Sequence, residues 1–201
     1  MNSKFFNIED LEENPRDELP EEKSALLVIR FLQVHYERIE SIKNLIGRPP
    51  MQDEAYFLWS VNSFNAFTFI PYIINECGVI SELIISTYSI NIRIIDALIR
   101  LIDKDQILSV HIFISDSIRS RLPKVYDHLM ALVDTKPVRV IYSWNHSKIA
   151  LIRAGEHFFD VEGSGNWGEN AQHEQYVFAN SEKLYEFRKY EILHGINCTA
   201  T

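Results

Sequence analysis

Residues 138–166 read VRVIYSWNHSKIALIRAGEHFFDVEGSGN, and they contain the most informative pattern of strands and turns in the chain. Short apolar runs at Val138–Tyr142, Lys148–Arg153 and Phe158–Glu162 predict three strands. Ala154-Gly155-Glu156 predicts the turn of a hairpin between the second and the third. Since a hairpin makes its two strands antiparallel, these late strands predict a mixed sheet when the earlier strands are joined through helices.

Upstream and downstream of this stretch, apolar runs alternate with helical patterns over short connections, which indicates an α/β layer structure. We expect a mixed β-sheet flanked by helices on both faces. The predicted elements are strands at 56–60, 83–88, 109–115 and 175–178, and helices at 65–74, 94–102, 124–133 and 181–193.

The N-terminal part predicts an extension to this domain. Residues 1–19 are acid-rich and lack apolar periodicity, so they predict a flexible arm. From Pro20, apolar residues recur at spacings near three and four, and Gly47 followed by Pro49 supplies a stop. The expected organisation is therefore an arm (1–19), a helix (20–49), the main domain (50–195) and a tail (196–201).

Composition limits the partners and the compartment. The formal charge of −8 repels nucleic acid over the average surface, so a nucleic-acid substrate needs a local basic cleft. Cys77 and Cys198 are too few and too distant for a disulfide framework or a zinc site, which favours a reducing cytoplasm. Neither a secretory h-region nor about 18 consecutive apolar residues occur, so we expect no export signal and no membrane association.

The residues that predict chemistry surround the hairpin. On a strand, period two places His146 and Lys148 on one face, pointing into one cleft. Gly163-Ser-Gly-Asn166 follows the next strand, where small residues let backbone N–H groups approach an anion and the Asn166 amide can donate. An imidazole can attack phosphorus while an ammonium offsets oxygen charge, and Glu174 can hold the other ring nitrogen. This set requires no metal and no cofactor.

His-x-Lys followed by Gly-Ser-x-Asn, with a preceding strand and helix, resembles the phospholipase D-like superfamily, particularly its small bacterial and phage endonucleases. The resemblance covers residues 83–193. It implies that His146 is the nucleophile of a phosphohistidine, that Lys148 and Asn166 bind phosphate, that Ser164 contacts it, and that Glu174 orients His146.

The resemblance also implies a partner, because the family uses two such motifs in each active site and this chain has one. We therefore expect a homodimer in which the second copy's His146 protonates the leaving oxygen. The activity implied is that of a metal-independent phosphodiesterase, a nuclease above all. Arg153 stands where the family usually has Asp, which keeps an inactive phosphate- or nucleic-acid-binding module as the alternative. Phospholipid hydrolysis ranks third.

Several other side chains have a functional and a structural interpretation. Ser86 and Tyr88 end a predicted strand, where they can line the cleft or cap the strand end. Trp144 and Trp167 flank the motifs and are expected to wall the cleft. Arg119, Arg121 and Lys124 can touch a phosphate backbone or form a solvated loop. His173 is interpreted as structural. The following aromatic residues are expected in the core, with a platform that stacks nucleic-acid bases as the alternative: Phe57, Trp59, Phe64, Phe67, Phe69 and Tyr72.

Overall fold

A computed structural model of the protein describes residues 37–61, 64–168 and 173–195. The early elements are α1 (37–46), β1 (Glu54–Val61), a 3₁₀ turn (Ala66–Thr68) that continues as α2 (Phe69–Cys77), β2 (Ile80–Thr87) and α3 (Ile92–Asp103). Then come β3 (Val110–Ser115), α4 (Ile118–Arg121), α5 (Pro123–Thr135), β4 (Val138–Ser143), β5 (Ile149–Ala154), β6 (His157–Gly163), β7 (His173–Asn180) and α6 (Glu182–Gly195).

The strands form one mixed sheet in the order β1-β7-β6-β5-β2-β3-β4. β2, β3 and β4 are parallel, because α3 and the α4–α5 segment return the chain to the starting edge. The other neighbours are antiparallel, and the predicted hairpin joins β5 to β6 through Gly155, whose φ is +56°. The mixed α/β sheet predicted from the sequence is confirmed.

Helices cover the sheet on both faces. Alternate strand residues such as Ile85, Ile112 and Ile152 belong to the larger core, which also contains residues of α2, α3 and α5. Their neighbours face the other way, and there Ile84, Phe113 and Leu151 pack with residues of α6. The period of two along each strand accounts for this division, because successive side chains point to opposite faces.

Some predictions differ from the structure in detail. The four-residue helix α4 was not predicted. Phe57 and Trp59 are 83 % and 61 % exposed, so their placement in the core was wrong, whereas Phe64, Phe67, Phe69 and Tyr72 are buried. β1 is an outer strand of the sheet, and the face that carries Phe57 and Trp59 is largely uncovered. Of the predicted N-terminal helix (20–49), residues 37–49 lie within the described part of the chain, and 37–46 of these are helical. The arm and the tail lie outside the described residues.

Asp160 is a charged residue in an apolar position. It lies on β6, is 1 % exposed, and neither carboxylate oxygen has a hydrogen-bond partner among the described residues. Burial, and then the negative charge of Glu162, raise the pKa of Asp160 to about 8, although Arg188 opposes the shift. At neutral pH the carboxyl group therefore favours its protonated form.

This raised pKa predicts how stability depends on pH. Because the folded chain binds the Asp160 proton more tightly than the unfolded chain does, the free energy of unfolding falls as pH rises from about 4 to about 8, by up to about 1.4 kcal/mol per pH unit. Asp160→Asn, which stays neutral, removes this slope. Urea unfolding of both proteins between pH 5 and 9 measures it, and parallel profiles for the two would contradict the assignment.

Candidate active site

The His146 segment lies where the chain crosses from one part of the sheet to another. β4 is an edge strand, whereas β5 pairs with β2, so residues 144–148 have to pass the carboxyl ends of β3 and β2. The Asn145 amide nitrogen donates to the backbone oxygen of Phe113 at 2.9 Å and to that of Thr87 at 3.3 Å. These bonds attach the crossing segment to both strands.

Asn145 also organises the residues on either side of His146. Its amide nitrogen lies 2.9 Å from Ser86 Oγ, and its oxygen accepts from the Ser147 backbone N–H at 2.9 Å and from Ser147 Oγ at 2.8 Å. Ser86 Oγ and Ser147 Oγ are 2.5 Å apart. An amide has two N–H groups for three acceptors here, so the longest contact, to Thr87, is shared. Asn145 and Ser147 have no motif of their own in the sequence, and their only signal is their position beside His146.

His146 and Lys148 are brought together, although neither lies on a strand, since β5 begins at Ile149. Lys148 Nζ is 3.3 Å from His146 Nδ1 and donates to the His146 carbonyl at 2.9 Å. The His146 ring is exposed, with its centroid 4.8 Å from that of Tyr88. Burial lowers the pKa of Lys148, and the negative charge of Glu174 opposes this shift.

Ser164 and Glu174 form the facing side of the site. Ser164 Oγ donates to the Glu174 carboxylate and accepts from the Gln175 N–H at 3.1 Å. Among the described residues, Glu174 forms no hydrogen bond with His146, contrary to the prediction. Glu174 lies on β7 against the turn that follows β6 and bonds to Ser164 there instead. The Gly163 N–H donates to the Lys148 carbonyl and the Ser164 N–H donates to the Gln175 carbonyl, both at 3.1 Å. Neither N–H is therefore free to bind an anion, contrary to the expectation from the sequence.

Gly163 allows β6 and β7 to approach closely, because its position has no space for a side chain. A Cβ at this position would lie 2.5 Å from Cδ1 of Tyr176 and 2.8 Å from the Gln175 carbonyl oxygen. Tyr176 is itself 2 % exposed and packed in the core, so its ring has little room to move. The close approach of β6 to β7 beside the site therefore depends on a residue without a side chain.

The remaining predicted residues lie outside the cleft walls. Trp167 is 1 % exposed and packs edge-on against Phe67, so the expectation that it lines the cleft was wrong. Ser86 is buried behind the crossing segment, and Trp144 is 91 % exposed to solvent. The Oδ1 atom of Asn166 is buried without a hydrogen-bond partner in the described part of the chain.

An open cleft of about 870 Å³ extends from His146 across β5, β6 and β7 to β1. Its walls include His146, Lys148 and Ser164 together with Phe57 and Trp59. Trp59 Nε1 donates to Nδ1 of His173 at 3.0 Å. Sequence alternation did not identify this aromatic wall, because β1 carries apolar residues on both of its faces.

The described residues hold neither a metal-type cluster of side chains nor a helix suited to a membrane. No three His, Cys, Asp or Glu side chains within 37–61, 64–168 and 173–195 are grouped as a metal site requires. Over the same residues, no helix combines the length and the apolar character needed to cross a bilayer.

Comparison with known proteins gives likeness at the level of structure. No family model and no curated protein sequence matches the chain. Polyphosphate kinase from Porphyromonas gingivalis matches over 71 % of this chain, with 18 % identity and a TM-score of 0.52. Phosphatidylserine synthase from Haemophilus influenzae matches over 71 % (11 % identity, TM-score 0.49), and a mutant of yeast tyrosyl-DNA phosphodiesterase over 62 % (11 % identity, TM-score 0.41).

The first of these likenesses defines the fold. The matched regions amount to 26 % of the polyphosphate kinase, 39 % of the synthase and 31 % of the phosphodiesterase. Together with the mixed sheet, the likeness to polyphosphate kinase shows that this chain has the phospholipase D-like fold. The fold that the resemblance in His-x-Lys and Gly-Ser-x-Asn implies is thereby confirmed.

The Asn145 network predicts a local effect of mutation. Asn145→Ala leaves the Phe113 carbonyl and the Ser147 N–H without their partner, so we expect a loss of about 1–3 kcal/mol in the free energy of unfolding. Amide exchange at Ser147 should accelerate. The neighbouring Trp144→Ala, at a 91 % exposed position, should change stability by less than about 0.5 kcal/mol. Equal exchange rates at Ser147 in wild type and Asn145→Ala would contradict this role.

The Gly163 contact predicts a steric effect with a matched control. Gly163→Ala forces a methyl group into Tyr176 and should cost about 1–3 kcal/mol, which lowers the melting temperature by roughly 2–12 °C. At Gly168 the nearest atom to an added Cβ is 3.9 Å away, so Gly168→Ala should be tolerated. Calorimetry of both variants tests this contrast, and an equal effect of the two would count against it.

Proposed function

We propose that this protein is a metal-independent phosphodiesterase that cleaves nucleic acid through a phosphohistidine on His146, in an active site completed by a second copy of the chain. The observation that carries the proposal is the 3.3 Å approach of Lys148 Nζ to the exposed imidazole of His146, inside an open cleft on a phospholipase D-like fold. A nucleophile and a cation are thus adjacent where a phosphate can enter.

The position of Lys148 also determines what has to change when substrate binds. An ammonium that donates to Nδ1 leaves the proton of the neutral imidazole on Nε2, and a protonated Nε2 has no lone pair for attack. We infer that the anionic phosphate oxygen, a better acceptor than an imidazole nitrogen, draws Lys148 away from Nδ1. The ring proton then moves to Nδ1 and Nε2 becomes the nucleophile. Acceptance of that Nδ1 proton by Glu174 stays a prediction from the resemblance.

The reaction then proceeds in two steps. Nε2 of His146 attacks phosphorus, the bond from phosphorus to the leaving oxygen breaks, and that oxygen takes a proton from the partner's His146. Water next attacks the phosphorus and gives its proton to the partner's His146. The phosphorus–nitrogen bond breaks and its electron pair returns to Nε2. In both steps Lys148 stabilises charge on the non-bridging oxygens, and the Ser164 hydroxyl joins it by turning its proton from Glu174 to the phosphate.

Arg153 affects the choice between an enzyme and an inactive binding module. Arg153 lies near the end of β5, five residues beyond Lys148, which corresponds to roughly 16 Å along a strand. Its guanidinium stacks 5.2 Å from the centroid of the Phe158 ring, and it is not part of the cleft wall. The substitution of the usual Asp therefore leaves the surroundings of His146 intact, which favours activity over a binding role alone.

Cleavage of fluorescent single- and double-stranded DNA and RNA in excess EDTA tests the proposal. Wild type should cleave at least one substrate, and His146→Ala should reduce the rate by about 10³-fold or more while leaving the fold intact. His194→Ala, which removes an exposed histidine from the end of α6, should keep the wild-type rate. Quenching in base should trap a phosphoenzyme in wild type alone. Unchanged cleavage by His146→Ala would exclude the histidine mechanism.

Additional substrates separate the alternatives. Binding of nucleic acid without turnover would favour the inactive module. Hydrolysis of phospholipid vesicles, or turnover of polyphosphate, with no cleavage of nucleic acid would move the assignment to those phosphate esters and anhydrides. Heterodimers of one wild-type and one His146→Ala chain should be inactive if both copies of His146 serve each site.

A further inference from the structure

Three parallel strands place a group of arginine and tyrosine side chains beside His146. β2 is followed by Tyr88, β3 by the turn and helix α4 that carry Arg119 and Arg121, and β4 ends with Tyr142 and Ser143. Because β2, β3 and β4 are parallel, these residues lie together at the carboxyl ends of the three strands, where His146 also lies. We name Arg119, Arg121 and the tyrosine rings beneath them the arginine ledge.

Each guanidinium of the ledge is held over an aromatic ring. Arg121 lies 4.3 Å from the centroid of the Tyr88 ring, and that ring is the one whose centroid is 4.8 Å from the His146 ring. One tyrosine thus separates this arginine from the proposed nucleophile. Arg119 lies 4.8 Å from the ring of Tyr142 and 5.5 Å from that of Tyr126. Stacking fixes the plane of a guanidinium and leaves its N–H edge available.

The charge of the ledge is available for a ligand. Neither Arg119 nor Arg121 forms an ion pair with a carboxylate in the described part of the chain, whereas Arg48 and Arg188 each do. Within the described residues, Arg121 donates only its Nε–H, to Ser117 Oγ at 3.1 Å. Both side chains are exposed. In a chain with a net charge of −8, two exposed and stacked cations beside His146 provide the local positive charge that a polyanion requires.

We propose that the arginine ledge binds the sugar–phosphate backbone of a nucleic-acid strand next to the phosphate that is cleaved. The cleft with Lys148 lies on one side of His146 and the ledge on the other, so a strand can cross the histidine and place its next phosphates on Arg121 and then Arg119. Arginine forks bind phosphate oxygens in pairs and read no base, so the ledge positions the strand independently of sequence.

The ligand in this inference rests on the proposed function, so the test measures binding in a protein that cannot cleave. In the His146→Ala background, fluorescence anisotropy gives the Kd of a single-stranded oligonucleotide between 50 and 200 mM salt. Arg119→Gln together with Arg121→Gln should weaken binding at least about ten-fold at the lower salt. It should also reduce the slope of log K against log salt by about 1.4, since two phosphate contacts are lost.

A charge-matched control distinguishes the ledge from net charge. Arg100 and Lys104 are exposed at the end of α3. Since α3 leads from the end of β2 back to the start of β3, they lie near the amino ends of the parallel strands, away from the ledge. Arg100→Gln with Lys104→Gln should leave the slope unchanged. Arg121→Lys should keep the slope and lose part of the affinity, since the charge remains without the fork.

Equal effects of the ledge and control variants would overturn the inference, as would a parent protein that binds polyphosphate and no oligonucleotide. If wild type does not cleave nucleic acid, the proposed function is contradicted but the ledge inference is not, because binding by the ledge is measured without turnover. The ledge assignment stands if the oligonucleotide binds and the salt slope falls only in the ledge variants.

Discussion

The site depends on how the chain crosses the sheet between β4 and β5. A strand order in which β5 lies beside β2 forces residues 144–148 over the ends of β3 and β2, and the Asn145 amide fixes that crossing with bonds to both strands. The main-chain oxygens it meets belong to Thr87, the last residue of β2, and to Phe113, two residues before the end of β3. One side chain therefore ties the crossing segment to two strands and sets the position of His146.

The two halves of the sheet contribute differently to the site. The antiparallel half brings Ser164 and Glu174 to the cleft through the pairing of β6 with β7, and this pairing is close because Gly163 has no side chain. The parallel half ends at the same place with Tyr88 and the arginine ledge. The groups of the proposed active site thus come from one half of the sheet and the positive charge from the other, and His146 lies on the segment that joins them.

Particular residues show how far sequence reasoning reaches. The hairpin at Gly155 and the strands around it were predictable, because apolar runs and turn residues are local signals. The meeting of His146 with Lys148 was predicted from strand periodicity, but the two residues precede β5 and meet through a hydrogen bond instead. Phe57 and Trp59 were misplaced because alternation shows that a strand has two faces, and the packing of other elements decides which is covered.

The alternating elements, the hairpin and the residue types suited to phosphoryl chemistry could be read from the sequence, because they follow from local periodicity and side-chain chemistry. The bond of Glu174 to Ser164, the burial of Trp167 and the stacking of Arg121 on Tyr88 beside His146 arise from the three-dimensional packing instead. Tyr88 and Arg121 are far apart in the chain, and they meet because the parallel strands β2 and β3 have their carboxyl ends side by side. Strand order, which depends on long-range packing free energy, has no local signal in the sequence.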